Sequence, residues 1–392
     1  MTDLQALDRE ALLDELACYL RPPGQGIHAV STGREALLAQ TQAYLGPDWD
    51  PAVPWREHLD AVTAALAARA APRVAMLAIP SDTGAGIVRG AARGPEGIRA
   101  ALGQAPVPDL GDIFSIPQLL DEDMLGEDQR RRCQDALWPG LLELERRTRM
   151  VSPLGMAERT RRILAVLVPG LRLMMLGGDH TVTWPVLAPL LEGDTTDMGI
   201  VHFDAHTDLL PERLGIRYCF ATWAYHANEG LRRHAADPQV QRLIQIGIRA
   251  SGRDRGHWES TLGVRQIWGD EARSMTPDEL AAAVTRHLRE RDLRRIYLSN
   301  DIDGTDAHWA SACGTPESGG LSPEQVESVI GALAAEFEVV GADLVELAPG
   351  LSLDPRAAQR SIDTAERYSR ASLAALAGGS PPNPGNIHER RE

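Results

Sequence analysis

Short apolar runs, rich in β-branched and long aliphatic residues, alternate along this chain with longer stretches whose apolar residues recur at helical spacing. The runs at 74–79, 171–176, 198–201, 242–249, 295–298 and 339–347 predict buried strands. A helix is predicted at 3–20, where Leu4, Leu12, Leu13 and Leu16 fall at near-helical spacing before Arg21-Pro22-Pro23-Gly24 breaks the pattern. Others are predicted at 33–44, 55–70, 277–290, 323–336 and 363–376, and one more runs through Leu102, with Pro95 and Glu96 suited to its first turn. Residues 109–170 read as a loop followed by helices, and the Gly/Pro-rich tail, 378–392, as disordered.

Strands that alternate with helices predict an α/β domain built on a mostly parallel sheet covered on both faces. The expected organisation is a helical N-terminal extension at 1–70, the α/β domain at 71–377 and the tail. In such sheets a ligand site lies beyond the carboxyl ends of the strands. Three of the predicted strands end in chemistry there: one in Gly177-Gly178-Asp179-His180, one in Asp204-Ala205-His206-Thr207-Asp208, one in Asp301-Ile302-Asp303. Asp204, His206 and Asp208 are spaced i, i+2, i+4, which on extended backbone puts all three on one face. The competing reading of that motif alone is a solvated, Asp-rich loop.

Composition narrows the function. The formal charge is −15, from 55 acidic against 40 basic residues, which disfavours nucleic acid and anionic membranes as partners. Every basic residue is Arg, so a Lys nucleophile or Schiff base is excluded. Cys18, Cys133, Cys219 and Cys313 form no C-x-x-C pair, so neither a zinc knuckle nor a disulfide framework is indicated. With no signal-like segment and no apolar run near about 18 residues, the chain reads as a soluble cytoplasmic protein. The Gly-rich stretch 84–99 lacks both G-K-[ST] and G-x-G-x-x-G ahead of a helix, which argues against phosphate binding.

His180, Asp204, His206, Asp208, Asp301 and Asp303 together offer four carboxylates and two imidazoles, and no thiolate. That set offsets two divalent cations and suits Mn²⁺ better than structural zinc, with Fe, Co, Ni or Zn as alternatives. Two adjacent cations lower the pKa of a shared water from 15.7 toward about 7, making hydroxide available for attack on an electron-poor carbon.

The motifs G-G-D-H at 177–180, D-A-H-T-D at 204–208 and S-N-D-I-D-G-T-D at 299–306 resemble the metal motifs of the arginase/agmatinase (ureohydrolase) family. G-I-V-R-G-A-A-R-G-P-E-G-I-R at 86–99, Q-I-G-I-R at 245–249, G-T-P-E-S-G-G-L at 314–321 and D-L-V-E-L-A-P at 343–349 resemble its agmatinase-like branch. The resemblance spans about 72–377. It implies a three-layer α/β/α fold, two Mn²⁺, hydrolysis of a guanidinium C–N bond to release urea, and a homo-oligomer, trimer or hexamer. It also implies that Asp204 and Asp301 bridge both ions, that His180 and Asp208 complete one site, and that His206 and Asp303 complete the other. Glu346 matches the acid that orients the guanidinium; Glu346 and Asp208 are the acids expected to serve catalysis. His202 is read as a support of the ligands or a core residue, with a ligand as the competing role, Asp179 as a cap or orienting group for His180, and Asp306 as the acid that follows the second ligand pair.

The substrate end departs from the family. Members that cleave arginine or agmatine carry a His-Gly pair where this chain has 209–223, and no such pair occurs here. Cys219 falls near the missing histidine, with a proton shuttle and a packing residue as its two readings. Leu209 and Leu210 replace polar residues. Leu210, Tyr218, Cys219, Phe220 and Trp223 are therefore the candidate substrate-binding residues, core packing being the competing role for the aromatic ones. The expected substrate is a guanidino compound other than free arginine. The alternatives are a formimidoyl or amide C–N hydrolase, or a non-catalytic member of the family.

Overall fold

The predicted apolar runs become strands buried along most of their length. In a computed structural model, which describes residues 4–28, 33–233, 237 and 239–378, these are β1 (Leu20–Arg21), β2 (Arg73–Ile79), β3 (Asp109–Ile113), β4 (Leu171–Gly177), β5 (Met198–Phe203), β6 (Leu243–Ile248), β7 (Arg265–Trp268), β8 (Arg295–Asp301) and β9 (Glu338–Val345). They form one sheet in the order β1-β3-β2-β4-β9-β8-β5-β6-β7, parallel throughout except for β1, which runs antiparallel to β3.

Alternate residues of each strand feed opposite faces. Val74, Met76 and Ala78 of β2 and Val201 and Phe203 of β5 join one core with Ile98, Leu102, Leu280, Val284, Ile330, Leu333, Tyr368 and Leu376, all from helices on that face. Ala75, Leu77 and Ile79 face the other way, onto Leu13, Leu16, Leu59, Leu66, Met156 and Leu164. On that same side the helix Trp223–Arg233 packs Trp223, Ala227 and Leu231 on Met198 and Ile200. The result is the expected three layers, helices on both faces of a mostly parallel sheet. Helix starts follow local chemistry: Thr276 and Ser322 form capping boxes with Glu279 and Gln325, each with Pro as the first helical residue.

Some boundaries differ from those predicted. The first helical stretch is a short turn, Leu4–Ala6, and a helix, Arg9–Tyr19, after which the chain turns into edge strand β1. The last helix begins at Pro355, capped by Asp354, well before 363. The short β7 has no counterpart among the predicted strands. β3 lies where a loop was predicted, because Asp109, Gly111 and Asp112 read as turn residues. Burial of its two acids is made possible by Arg99, which reaches Asp109 at 2.8 and 2.9 Å and Asp112 at 2.5 Å with all three side chains almost fully enclosed. The free oxygen of Asp112 accepts from the Gly24 and Gly26 amides at 2.8 and 3.1 Å, tying the N-terminal segment to the sheet edge. Among the described residues, no helix is long and apolar enough to cross a membrane. Apart from Gly378, the tail lies outside the described residues.

Arg99→Met should therefore cost about 3–5 kcal/mol in chemical denaturation, since it strands two buried carboxylates. Adding Asp109→Asn and Asp112→Asn should recover part of that loss.

Candidate metal centre

β4, β9, β8 and β5 are adjacent in the sheet, and their carboxyl ends lie side by side. Asp301 is paired with Val345, and Phe203 with Asn300, so the segments carrying Glu346, Asp301 and Asp204 leave the sheet at one level. β4 ends in Gly177, three residues before His180. Backbones approach closely here: a Cβ on Gly178 would fall 1.7 Å from the Ser81 carbonyl oxygen, and one on Gly304 would fall 2.6 Å from the Asp204 amide nitrogen. The ligand segments are bent, not extended. Strand β5 stops at Phe203, and Asp208 takes a left-handed φ of 51°, a conformation Asp tolerates better than most residues. Asp303 sits in the 3₁₀ turn Ile302–Gly304, whose cap is Asp301 accepting from the Asp303 amide at 2.8 Å. Loop bending, and not strand alternation, makes these side chains converge.

All six candidate ligands come together, in two clusters that share Asp204. In the first, His180 Nδ1 faces Oδ2 of Asp204, Asp208 and Asp301 at 3.2, 3.3 and 3.2 Å. In the second, His206 Nδ1 lies 3.3 Å from Asp204 Oδ1 and 3.1 Å from Asp303 Oδ2. His180 Nδ1 is buried and makes no hydrogen bond, although three carboxylate oxygens surround it. An imidazole lone pair aimed among carboxylates fits a divalent cation.

The electrostatics agree. Burial raises the Asp204 carboxyl, but His180, His202 and His206 outweigh it and hold the group well below its usual range. Asp301 is pushed well above that range by burial and by Asp303 and Asp204. Burial lowers His206, yet Asp204 and Asp303 carry it up to about 12. Acids driven apart by their own crowding mark a concentration of negative charge that divalent cations would offset.

Other side chains hold the ligands. His180 Nε2 meets Ser299 Oγ at 3.0 Å; Ser299 donates to Asp343 at 2.9 Å, and Tyr297 donates to the other Asp343 oxygen at 2.8 Å. This fixes the His180 ring with Nδ1 turned to the clusters. Thr315 donates to Asp303 at 2.9 Å. Arg249 spreads its guanidinium over backbone carbonyls, those of Asp303 and Glu317 at 2.7 Å among them, and so braces the ligand turn. Ser299 lies two residues before Asp301 on the same strand face, a signal the sequence carried; Thr315 had none. Asp179 caps the turn after β4 by accepting from the Thr181 amide at 2.8 Å. Asp306 accepts from the amides of His308, Gly319 and Gly320.

The candidate substrate residues are distributed differently. Trp223 is fully buried, stacked on His180 with ring centroids 4.6 Å apart, and donates to Asp208 at 3.0 Å. Its place is beneath the ligands. Leu209 is core, whereas Leu210 is 39% exposed. Cys219 is buried, and its amide donates to Thr222 Oγ1 at 2.9 Å. Tyr218 stacks on Trp184, with the Arg217 guanidinium over its ring, 5.0 Å from the centroid. Phe220 is half-buried, its amide donating to the Gly84 carbonyl at 3.2 Å, and Arg213 stacks over its ring at 5.0 Å. His226, the imidazole nearest the absent His-Gly pair in sequence, donates to the Arg217 carbonyl at 3.0 Å. Glu346 takes a left-handed φ of 63°, rare for Glu, and its Oε1 accepts from the His180 amide at 2.9 Å. Burial and the nearby Asp179 push its carboxyl well above the ordinary range.

Comparison with known proteins agrees with this geometry. The family model described as the arginase family matches residues 72–367. An N(1)-aminopropylagmatine ureohydrolase of Thermus thermophilus is 31% identical over 285 residues, 71% of this chain and 83% of that protein. A guanidinobutyrase of Pseudomonas aeruginosa is 29% identical over 293 residues, 70% of this chain and 78% of that one. Among solved structures, the proclavaminate amidino hydrolase of Streptomyces clavuligerus superposes with a TM-score of 0.58 at 24% identity, covering 78% of this chain and 92% of its own, a likeness of fold. With the match running through all three ligand-bearing loops, the chain belongs to the arginase family.

Proposed function

We propose that this enzyme hydrolyses the guanidinium C–N bond of a guanidino compound other than free arginine, releasing urea, with two Mn²⁺ ions as cofactors. The observation that carries the reading is the position of Glu346. Its carboxylate is hydrogen-bonded to the backbone of the ligand His180, so an anion suited to a guanidinium stands beside the metal-binding clusters. Relatives named for aminopropylagmatine, guanidinobutyrate and agmatine support a guanidino substrate.

Each residue has a part. His180 and Asp208 would complete the site of one cation and His206 and Asp303 that of the other, with Asp204 and Asp301 shared between them. When bound, such a pair supplies Lewis acidity and a water acidic enough to yield hydroxide at neutral pH. Glu346 binds the guanidinium by charge-assisted hydrogen bonds and fixes its angle of approach. A cation bound there also offsets the desolvation that raises the Glu346 carboxyl, and so favours the carboxylate. The half-buried Phe220 and the exposed Leu210 suit an apolar body beyond the guanidinium.

Reconstituted protein should bind two divalent ions per chain by elemental analysis, and Asp204→Ala should lose more than one of them. A single ion or none would overturn the metal assignment. Glu346→Gln should keep both ions while turnover falls roughly ten- to a hundredfold, the loss of a charge-assisted bond worth about 1.5–3 kcal/mol. Lost metal in that variant would show Glu346 to be a ligand.

A urea-release screen over arginine, agmatine, 4-guanidinobutanoate and larger arylalkyl guanidines tests the substrate. Arginine's α-amino and α-carboxyl groups need polar partners, and burying them without any costs several kcal/mol. Arginine should therefore be a poor substrate. Efficient arginine cleavage would refute the specificity, and ammonia without urea would refute the reaction.

A further inference from the structure

Strands β5, β6 and β7 carry polar side chains at one level of the sheet: His202 pairs with Gln245, and Gln245 with Gln266. All three are completely buried. Their side chains join end to end. Trp268 Nε1 donates to Gln266 Oε1 at 2.9 Å, and Gln266 Nε2 donates to Gln245 Oε1 at 2.8 Å. Gln245 Nε2 meets His202 Nδ1 at 3.0 Å, and His202 Nε2 meets Asp204 Oδ2 at 2.8 Å.

The direction of this chain is determined by its first member. An indole N–H can only donate, so Gln266 must present its oxygen to Trp268 and its amino group to Gln245. Gln245 must then turn its own amino group to His202. A second anchor gives the same answer, because that nitrogen also lies 2.6 Å from the Thr207 carbonyl oxygen, which can only accept. His202 Nδ1 is therefore the acceptor, and Nε2 carries the hydrogen given to Asp204. Although His202 lies within ligand distance of His180, Asp204 and Asp208, its nearer nitrogen has no lone pair to offer a cation.

We propose that Gln245, Gln266 and Trp268 act as positioning residues, a one-way hydrogen-bond relay that fixes His202 as a donor to Asp204 and so orients the carboxylate shared by both metal clusters. Oδ1 of the same carboxylate accepts from the His206 amide at 2.6 Å, so Asp204 is held by a donor at each oxygen. A carboxylate that serves two clusters has little rotational tolerance: turning it toward one withdraws it from the other. The relay places one determinant of that angle at Trp268, in the sheet's edge strand.

The inference rests on the metal assignment only for its consequence, and the two are tested separately. In metal-free protein labelled with ¹⁵N-histidine, NMR should show His202 as the Nε2–H tautomer. Gln245→Glu, which places an acceptor against Nδ1, should shift that signature, and Trp268→Phe, which keeps an aromatic ring but removes the donor, should shift it less because the Thr207 carbonyl still anchors Gln245. Calorimetric titration with Mn²⁺ alone should then show binding weakened about 10- to 100-fold in Gln245→Glu, the usual cost of losing a group that orients a ligand. Gln245→Asn is too short to reach His202 and should not rescue. An Nδ1–H tautomer in the parent protein, or tautomer and Mn²⁺ affinity unchanged in both variants, would overturn the relay. Failure of the parent protein to bind Mn²⁺, with the tautomer as described, would overturn the metal assignment and leave the relay standing.

Discussion

Four carboxylates gathered at the carboxyl edge of one sheet are the constraint around which this molecule is built. Asp204, Asp208, Asp301 and Asp303 are all buried, and like charges at such distances repel strongly in a low-dielectric interior. The fold tolerates them because each carboxylate accepts from a donor that is not itself a carboxyl group. Trp223 holds Asp208, His202 and the His206 amide hold Asp204, Thr315 holds Asp303, and the amide of Asp303 holds Asp301. Arg249 braces the turn itself by binding its carbonyls. These donors together aim the carboxylate oxygens into the two clusters.

The same constraint explains where backbone strain is found. Asp208 and Glu346 are two of the non-glycine residues with positive φ, and both reach into the site from the ends of strands. Residues held in sparsely populated conformations cluster where function over-determines them. A strand continuing straight would carry these side chains past the centre, and a left-handed turn brings them back.

How far the sequence revealed all this depended on whether a signal was local. Central strands such as β2 and β4 are continuous apolar runs and were legible at once, and the helix Pro323–Glu336 begins and ends where its capping box and spacing put it. The six residues that gather in the two clusters were legible from three motifs, each following a strand. β3 was not, because its acids depend on Arg99 from a helix earlier in the chain. Nor was the way Asp204, His206 and Asp208 converge: their spacing suggested extended backbone, whereas a bent loop does the work. Trp223 looked like a pocket wall because an aromatic residue in an apolar loop carries no mark of which way it points. Its indole N–H found a buried carboxylate fifteen positions earlier, a pairing that only the folded chain discloses.

The arrangement of strands has a further consequence for the protein's colloidal behaviour. The sheet's two terminal strands are also its shortest, two residues in β1 and four in β7, while interior strands run to seven or eight. Long, apolar strands with open edges are templates for strand addition between molecules and for fibril growth. Here the longest and most apolar strands are enclosed, and an incoming chain is offered only a few hydrogen-bonding groups at either end. With only two residues, β1 covers part of the β3 edge and offers little of its own, so the N-terminal segment limits strand addition there as well as covering the core.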